Sequence, residues 1–258
     1  MNYWAKRQAE HHLALKNKSH KKIKAQLAKY YATAAKRVIE DFEGVYNKLL
    51  VQQAAGKELT PALLYQLDSY WAKQAQLRNE LQKLGEKQVS LLTKQFEIMF
   101  FDVYYSIAPE GLRAFSTIDA AGVQQIINGI WVADGKNFSQ RIWDNTERLI
   151  ETLNEQLVLT VSTGRKPTEL KRALQERFAV SYHRADTLVR TELTHIQTEA
   201  AKKRYEDYGI KEFEVLVDPD ERTCDLCKEL IGKRFPISGA SPLPVHPNER
   251  CAIVPIVE

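Results

Sequence analysis

Helix breakers are spread very unevenly along this chain, and that distribution limits the folds open to it. Of nine prolines in 258 residues, only Pro61, Pro109 and Pro167 interrupt the first 218; the other six lie at or beyond Pro219. Proline lacks an amide donor and clashes with the preceding helical turn, so it marks where helices start and stop. Long helices followed by an irregular C-terminal segment are therefore expected.

Apolar spacing fills in the helices. Residues 3–52 read as one or two helices with a break near Asn17-Lys18-Ser19, and Ile23, Leu27, Tyr31, Val38, Phe42, Val45 and Leu49 recur at three- and four-residue steps. Thr60-Pro61 predicts a helix start, a capping hydroxyl before a proline at the first position, with Gly85 as the closing glycine. Further helices are expected over 87–107, 119–128, from Phe138 to Gly164, over 168–178, and over 182–207 with Ser181 as N-cap and Gly209 as stop. In the last of these, Tyr182, Ala185, Val189, Leu193, Ile196 and Ala200 form one core-facing stripe. After Gly209 the period changes: Phe213–Val217, Lys233–Ile237 and Ala252–Val257 read as strands. The expected fold is mainly α, an elongated helical N-terminal region and helical body followed by a small C-terminal β-containing module (α+β). The expected division is 1–112 and 113–258, with 210–258 a zinc-knuckle-like module.

Charge is concentrated at one end. Residues 1–37 hold ten Lys/Arg against Glu10 alone, about +9, which leaves about −5 for the remainder of a chain of net +4. Lys16, Lys18, Lys21, Lys22 and Lys24 are the candidate nucleic-acid contacts, through phosphate neutralisation rather than base reading. An acidic protein surface, or plain solvent on an amphipathic helix, accounts for the same charges. The most apolar run, Ile98–Phe101, lies between Glu97 and Asp102 and is far short of the roughly 20 residues of a membrane span. No apolar stretch follows the N-terminal charges, so no secretory signal is expected.

The chemistry gathers at the other end. Cys224, Cys227 and Cys251 are the three cysteines of the chain, and His246 stands between the last two, giving C-x2-C, a gap of 18 and H-x4-C. Four such ligands can close a tetrahedron around one zinc ion and leave no open position, which makes the expected zinc structural rather than catalytic. Short strands and a proline-rich loop bury little apolar surface, so a metal staple is physically sensible. The bland alternative is small buried cysteines beside a turn-capping histidine. A redox C-x2-C is disfavoured because only 31 residues follow Cys227. A zinc-containing nuclease would need a second histidine or a carboxylate pair, and the module holds no second histidine. Glu192 and His195 have the spacing of a di-iron ligand pair but no second such pair exists. No phosphate-binding glycine loop, G-x-S-x-G or H-E-x-x-H occurs.

Over roughly residues 130–258 the chain resembles the phage head morphogenesis family, the minor head proteins similar to protein F of phage Mu. The resemblance rests on Phe138–Trp143, on Arg190-Thr191-Glu192, on Tyr205 to Gly209, on Asp220, Arg222 and Thr223 running into Cys224 and Cys227, on Gly232, and on His246-Pro247-Asn248. It implies a non-enzymatic minor capsid protein of the virion, made in the host cytoplasm and lying inside the capsid near the portal vertex. Its implied partners are the portal protein, double-stranded DNA, and scaffold or major capsid protein; the alternative is a nuclease-like zinc-containing DNA-processing enzyme. One departure stands out. The family usually reads His-Pro-Asn-Cys-Arg-Cys, and here Glu249 occupies the first of those cysteine positions, leaving Cys251 as the expected fourth ligand.

Overall fold

The computed structural model describes residues 3–107, 118–217 and 223–256, with side chains from residue 6. Its elements are α1 (Tyr3–Ala54), α2 (Pro61–Tyr65), α3 (Asp68–Ser106), α4 (Ala120–Asn128), α5 (Phe138–Thr163), α6 (Pro167–Asp207), β1 (Glu212–Leu216), α7 (Asp225–Lys228), β2 (Arg234–Pro236) and β3 (Ala252–Pro255). The fold is mainly α with a small three-stranded antiparallel sheet at the C-terminal end, as expected.

Three expected breaks are absent. α1 runs unbroken through Asn17-Lys18-Ser19. Those residues cost only a few tenths of a kcal/mol each against better helix formers, and the buried line Ala9, His12, Lys16, Ile23 continues through them at helical spacing. α3 continues through Gly85, which serves close approach rather than termination: a Cβ there would lie 2.6 Å from the Trp143 ring. α6 is one helix of 41 residues. Ser181 sits in its middle, where its hydroxyl lies 3.2 Å from the Tyr31 hydroxyl and accepts from Asn145 Nδ2 at 3.0 Å, so it is a buried polar joint and not a cap.

The chain forms two compact units that are discontinuous in sequence: residues 1–24, 91–138 and 186–258 form one, and 25–90 with 139–185 the other. The expected boundary at 112 falls in 108–117, outside the described residues. The second unit is all helix. Its core is a set of apolar stripes, Leu27, Val38, Phe42, Val45 and Leu49 from α1, Leu77, Leu81 and Leu84 from α3, Leu149, Leu153, Leu157 and Val161 from α5, and Leu170, Leu174 and Phe178 from α6. The Tyr31 hydroxyl donates to Gln88 Oε1 at 3.3 Å within this core, and desolvation pushes its pKa up to about 12.

The first unit carries the sheet. α6 ends on Gly209, whose φ of 72° is left-handed; the Ile210 amide then bonds the Tyr205 carbonyl at 3.0 Å and turns the chain into β1. The strand order is β2-β1-β3, with Phe213 opposite Phe235 and Val215 opposite Ile253. Two contacts dock the sheet on helices: the Tyr205 hydroxyl donates to the Ile253 carbonyl at 3.3 Å, and Ala252 and Val254 pack with Ala9 and Leu216. At the far end of α6, Arg204 lies over the Tyr104 and Tyr208 rings at 4.7 and 4.4 Å and donates to the Ile107 carbonyl.

Candidate metal centre

α7 begins on Cys224, whose sulfur takes the N-cap role and accepts the Cys227 amide at 3.4 Å. That single turn of helix is what places the two thiols side by side. The loop after β2 returns His246 so that its Nε2 lies 3.3 Å from the Cys227 sulfur. His246 Nδ1 lies 2.8 Å from the Pro247 carbonyl, an arrangement that puts the ring proton on Nδ1 and leaves Nε2 facing the thiols. Asn248, at a left-handed φ of 65°, then bends the chain toward β3 and brings Glu249 and Cys251 inward.

Two triads result, and they share one thiol. The ligand atoms of Cys224, Cys227 and His246 lie within 4.8 Å of one another, as do those of Cys227, Glu249 and Cys251. Of the expected set, Cys224, Cys227 and His246 lie together, whereas Cys251 lies in the second triad and shares only Cys227 with the first. Glu249 is the residue that spacing alone missed. The signal for it was its place in the family's cysteine position.

The electrostatics are those of a crowded anionic pocket. The Cys227 amide donating to its sulfur holds the Cys224 thiol below its ordinary range. Burial pushes the Cys227 thiol up to about 11 and raises that of Cys251 further, the neighbouring Glu249 carboxylate adding to both. The Pro247 carbonyl, above all, raises His246. A divalent cation would offset the penalty on ionising the buried Cys227 and Cys251 thiols, because buried thiolates and carboxylates need a positive partner. Borderline-soft thiolate and imidazole donors suit zinc.

The basic N-terminus divides in two. Lys18, Lys21 and Lys22 are exposed on α1, and Lys24 is half-exposed with Nζ 3.5 Å from Asp186. Lys16 is a correction: it is buried, donating to Thr194 Oγ1 at 3.3 Å and to the Glu249 carbonyl at 3.2 Å, and is not presented to a nucleic acid. Desolvation pushes its pKa down to about 8, opposed chiefly by Glu249. In the motif on α6, Arg190 lies 3.6 Å from Asp186, Thr191 donates to the Thr187 carbonyl, and Glu192 accepts the Trp131 indole N–H at 3.1 Å. Thr223 is at the edge of burial, while Asp220 and Arg222 lie outside the described residues.

Long helices ending in a small sheet, with a thiol–imidazole–carboxylate cluster that could hold a metal ion, define a class of helical protein with a small terminal module. Residues 151–254, from within α5 to within β3, match the family described as Phage Mu protein F like protein. No curated protein and no solved structure matches the chain.

Proposed function

We propose that the protein is a minor head protein acting structurally in phage head morphogenesis. The observation that carries this reading is the family match over residues 151–254, which spans α6, the sheet and the Cys/His cluster together. In this reading the protein resides in the virion near the portal vertex and binds the portal protein. Double-stranded DNA and the scaffold or major capsid protein are its further partners. The face of α1 with Lys18, Lys21 and Lys22 neutralises DNA phosphates without reading bases.

The cluster holds one structural zinc ion, with Cys224, Cys227 and His246 as three of its ligands. No helix among the described residues is long and apolar enough to cross a membrane.

Co-expression with the portal protein of the same phage tests the reading. Retention of this chain on immobilised portal at physiological salt is the expected result. Two outcomes would overturn it: no retention at any salt concentration, or metal-dependent cleavage of plasmid DNA that disappears in His246→Ala.

A further inference from the structure

The fourth place at the metal is contested between Cys251 and Glu249, and several observations favour the carboxylate. Glu249 is 3% exposed. Its Oε2 is fixed by the Val245 amide, whereas Oε1 is buried with no hydrogen-bond donor. A carboxylate oxygen of this residue lies within 4.8 Å of the Cys227 and Cys251 sulfurs. A buried carboxylate oxygen without a donor is costly, and a cation beside it removes the cost.

The chemistry of substitution is balanced as well. A carboxylate carries the same single negative charge as the thiolate it replaces. Two thiolates, one imidazole and one carboxylate around a divalent ion therefore keep the net charge of three thiolates and one imidazole. If Cys251 ionised instead, a thiolate and a carboxylate would face each other with one of them off the metal. The backbone of Glu249 is already fixed for the task. Its carbonyl accepts from Lys16, lies 3.3 Å from Thr194 Oγ1, and follows the left-handed turn at Asn248.

We infer that Glu249 is the fourth ligand of the zinc site, its carboxylate standing where the family has a thiolate, with Cys251 kept as a neutral thiol against it. The inference rests on the reading that the cluster holds a metal, and it makes the site a mixed sulfur, nitrogen and oxygen site. A carboxylate is a harder donor than a thiolate, so the site is more tolerant of cobalt(II) and releases zinc to chelators more readily than an all-cysteine one.

Cobalt(II) and zinc titrations of the full chain decide it, because the sulfur-to-cobalt charge-transfer band grows with the number of bound thiolates. Glu249→Gln is expected to weaken zinc binding about tenfold or more, with the band per bound cobalt unchanged. Cys251→Ser leaves both affinity and band as in the wild type. Glu249→Cys, which restores the family pattern and guards against a folding defect in the glutamine variant, strengthens the band by about half as two thiolates become three. Wild-type affinity in Glu249→Gln, or loss of about a third of the band in Cys251→Ser, overturns the ligand assignment while leaving the metal reading standing. A wild-type protein that binds neither ion overturns both.

Discussion

The helical unit of residues 25–90 and 139–185 and the C-terminal sheet of residues 212–255 are held together by different means. In the helical unit, stripes from α1, α3, α5 and α6 bury leucine, valine and phenylalanine side chains at every turn. Burial of that kind contributes about 1.5–3 kcal/mol per large side chain and needs no ligand. The sheet has strands of five, three and four residues, and β2 is largely exposed. Its buried side chains include Phe213, Val215, Ala252, Ile253 and Val254, packed with Ala9 of α1, beside a pocket of thiols, an imidazole and a carboxylate. In the proposed reading, a small terminal module with a modest apolar core is fixed in place by an ion held among these side chains and by a buried lysine reaching in from α1.

The largest expected effect falls on the helical unit. Leu153→Ala is predicted to lower stability by about 2–5 kcal/mol in urea unfolding, because Leu153 is fully buried. A decrease below about 1 kcal/mol would break the first half of the comparison.

Acid should act next. Burial lowers His12 to about 4 and His195 to about 3, aided by His11 and Lys202 respectively. Both values lie below the unfolded value of about 6.5, so the unfolded chain binds more protons between these limits. The stability these two residues contribute is complete above about pH 6.5 and is lost as pH falls through the window toward 4. His12 alone accounts for about 3 kcal/mol over that range, and His12→Gln should flatten the pH profile of thermal unfolding. An unchanged profile in that variant would remove His12 from the account.

Smaller effects probe the lysines. Lys16→Met is expected to weaken zinc binding by roughly tenfold although it removes no ligand, because the donor that holds the Glu249 backbone carbonyl in place is lost; isothermal titration reads this directly. Lys18, Lys21 and Lys22, changed together to glutamine, should alter stability by no more than about 0.5 kcal/mol. The same triple change should reduce the salt slope of DNA binding by about 0.9 for each phosphate that is no longer neutralised. DNA binding indistinguishable from wild type would confine these lysines to a solvated face.

Much of this architecture was legible in the sequence, and most of the misses share one cause. Stripe spacing found the helices, and the change of period after Gly209 found the sheet, because both follow from local geometry. The breaks expected at Asn17, Gly85 and Ser181 do not occur. At the last two the residue owes its identity to a partner far along the chain: Gly85 makes room for Trp143, and Ser181 meets Tyr31 and Asn145. By spacing Lys16 is one more basic residue on a basic helix, and only Thr194 and the Glu249 carbonyl around it set it apart. The C-x2-C turn was legible because two ligands three residues apart are local. The competition between Glu249 and Cys251 was not, since both lie on the same return of the chain and only the fold shows which donors share a neighbourhood.

Hydrogen exchange with and without a zinc chelator tests the central claim most directly, namely that an ion fixes the terminal module while apolar burial holds the helices. The account predicts that chelation strips protection from the amides of β1 and β3, Val215 and Ile253 among them, and leaves those of Leu153 and Leu157 in α5 unchanged. Equal protection of the sheet in the zinc-loaded and chelated protein would contradict it.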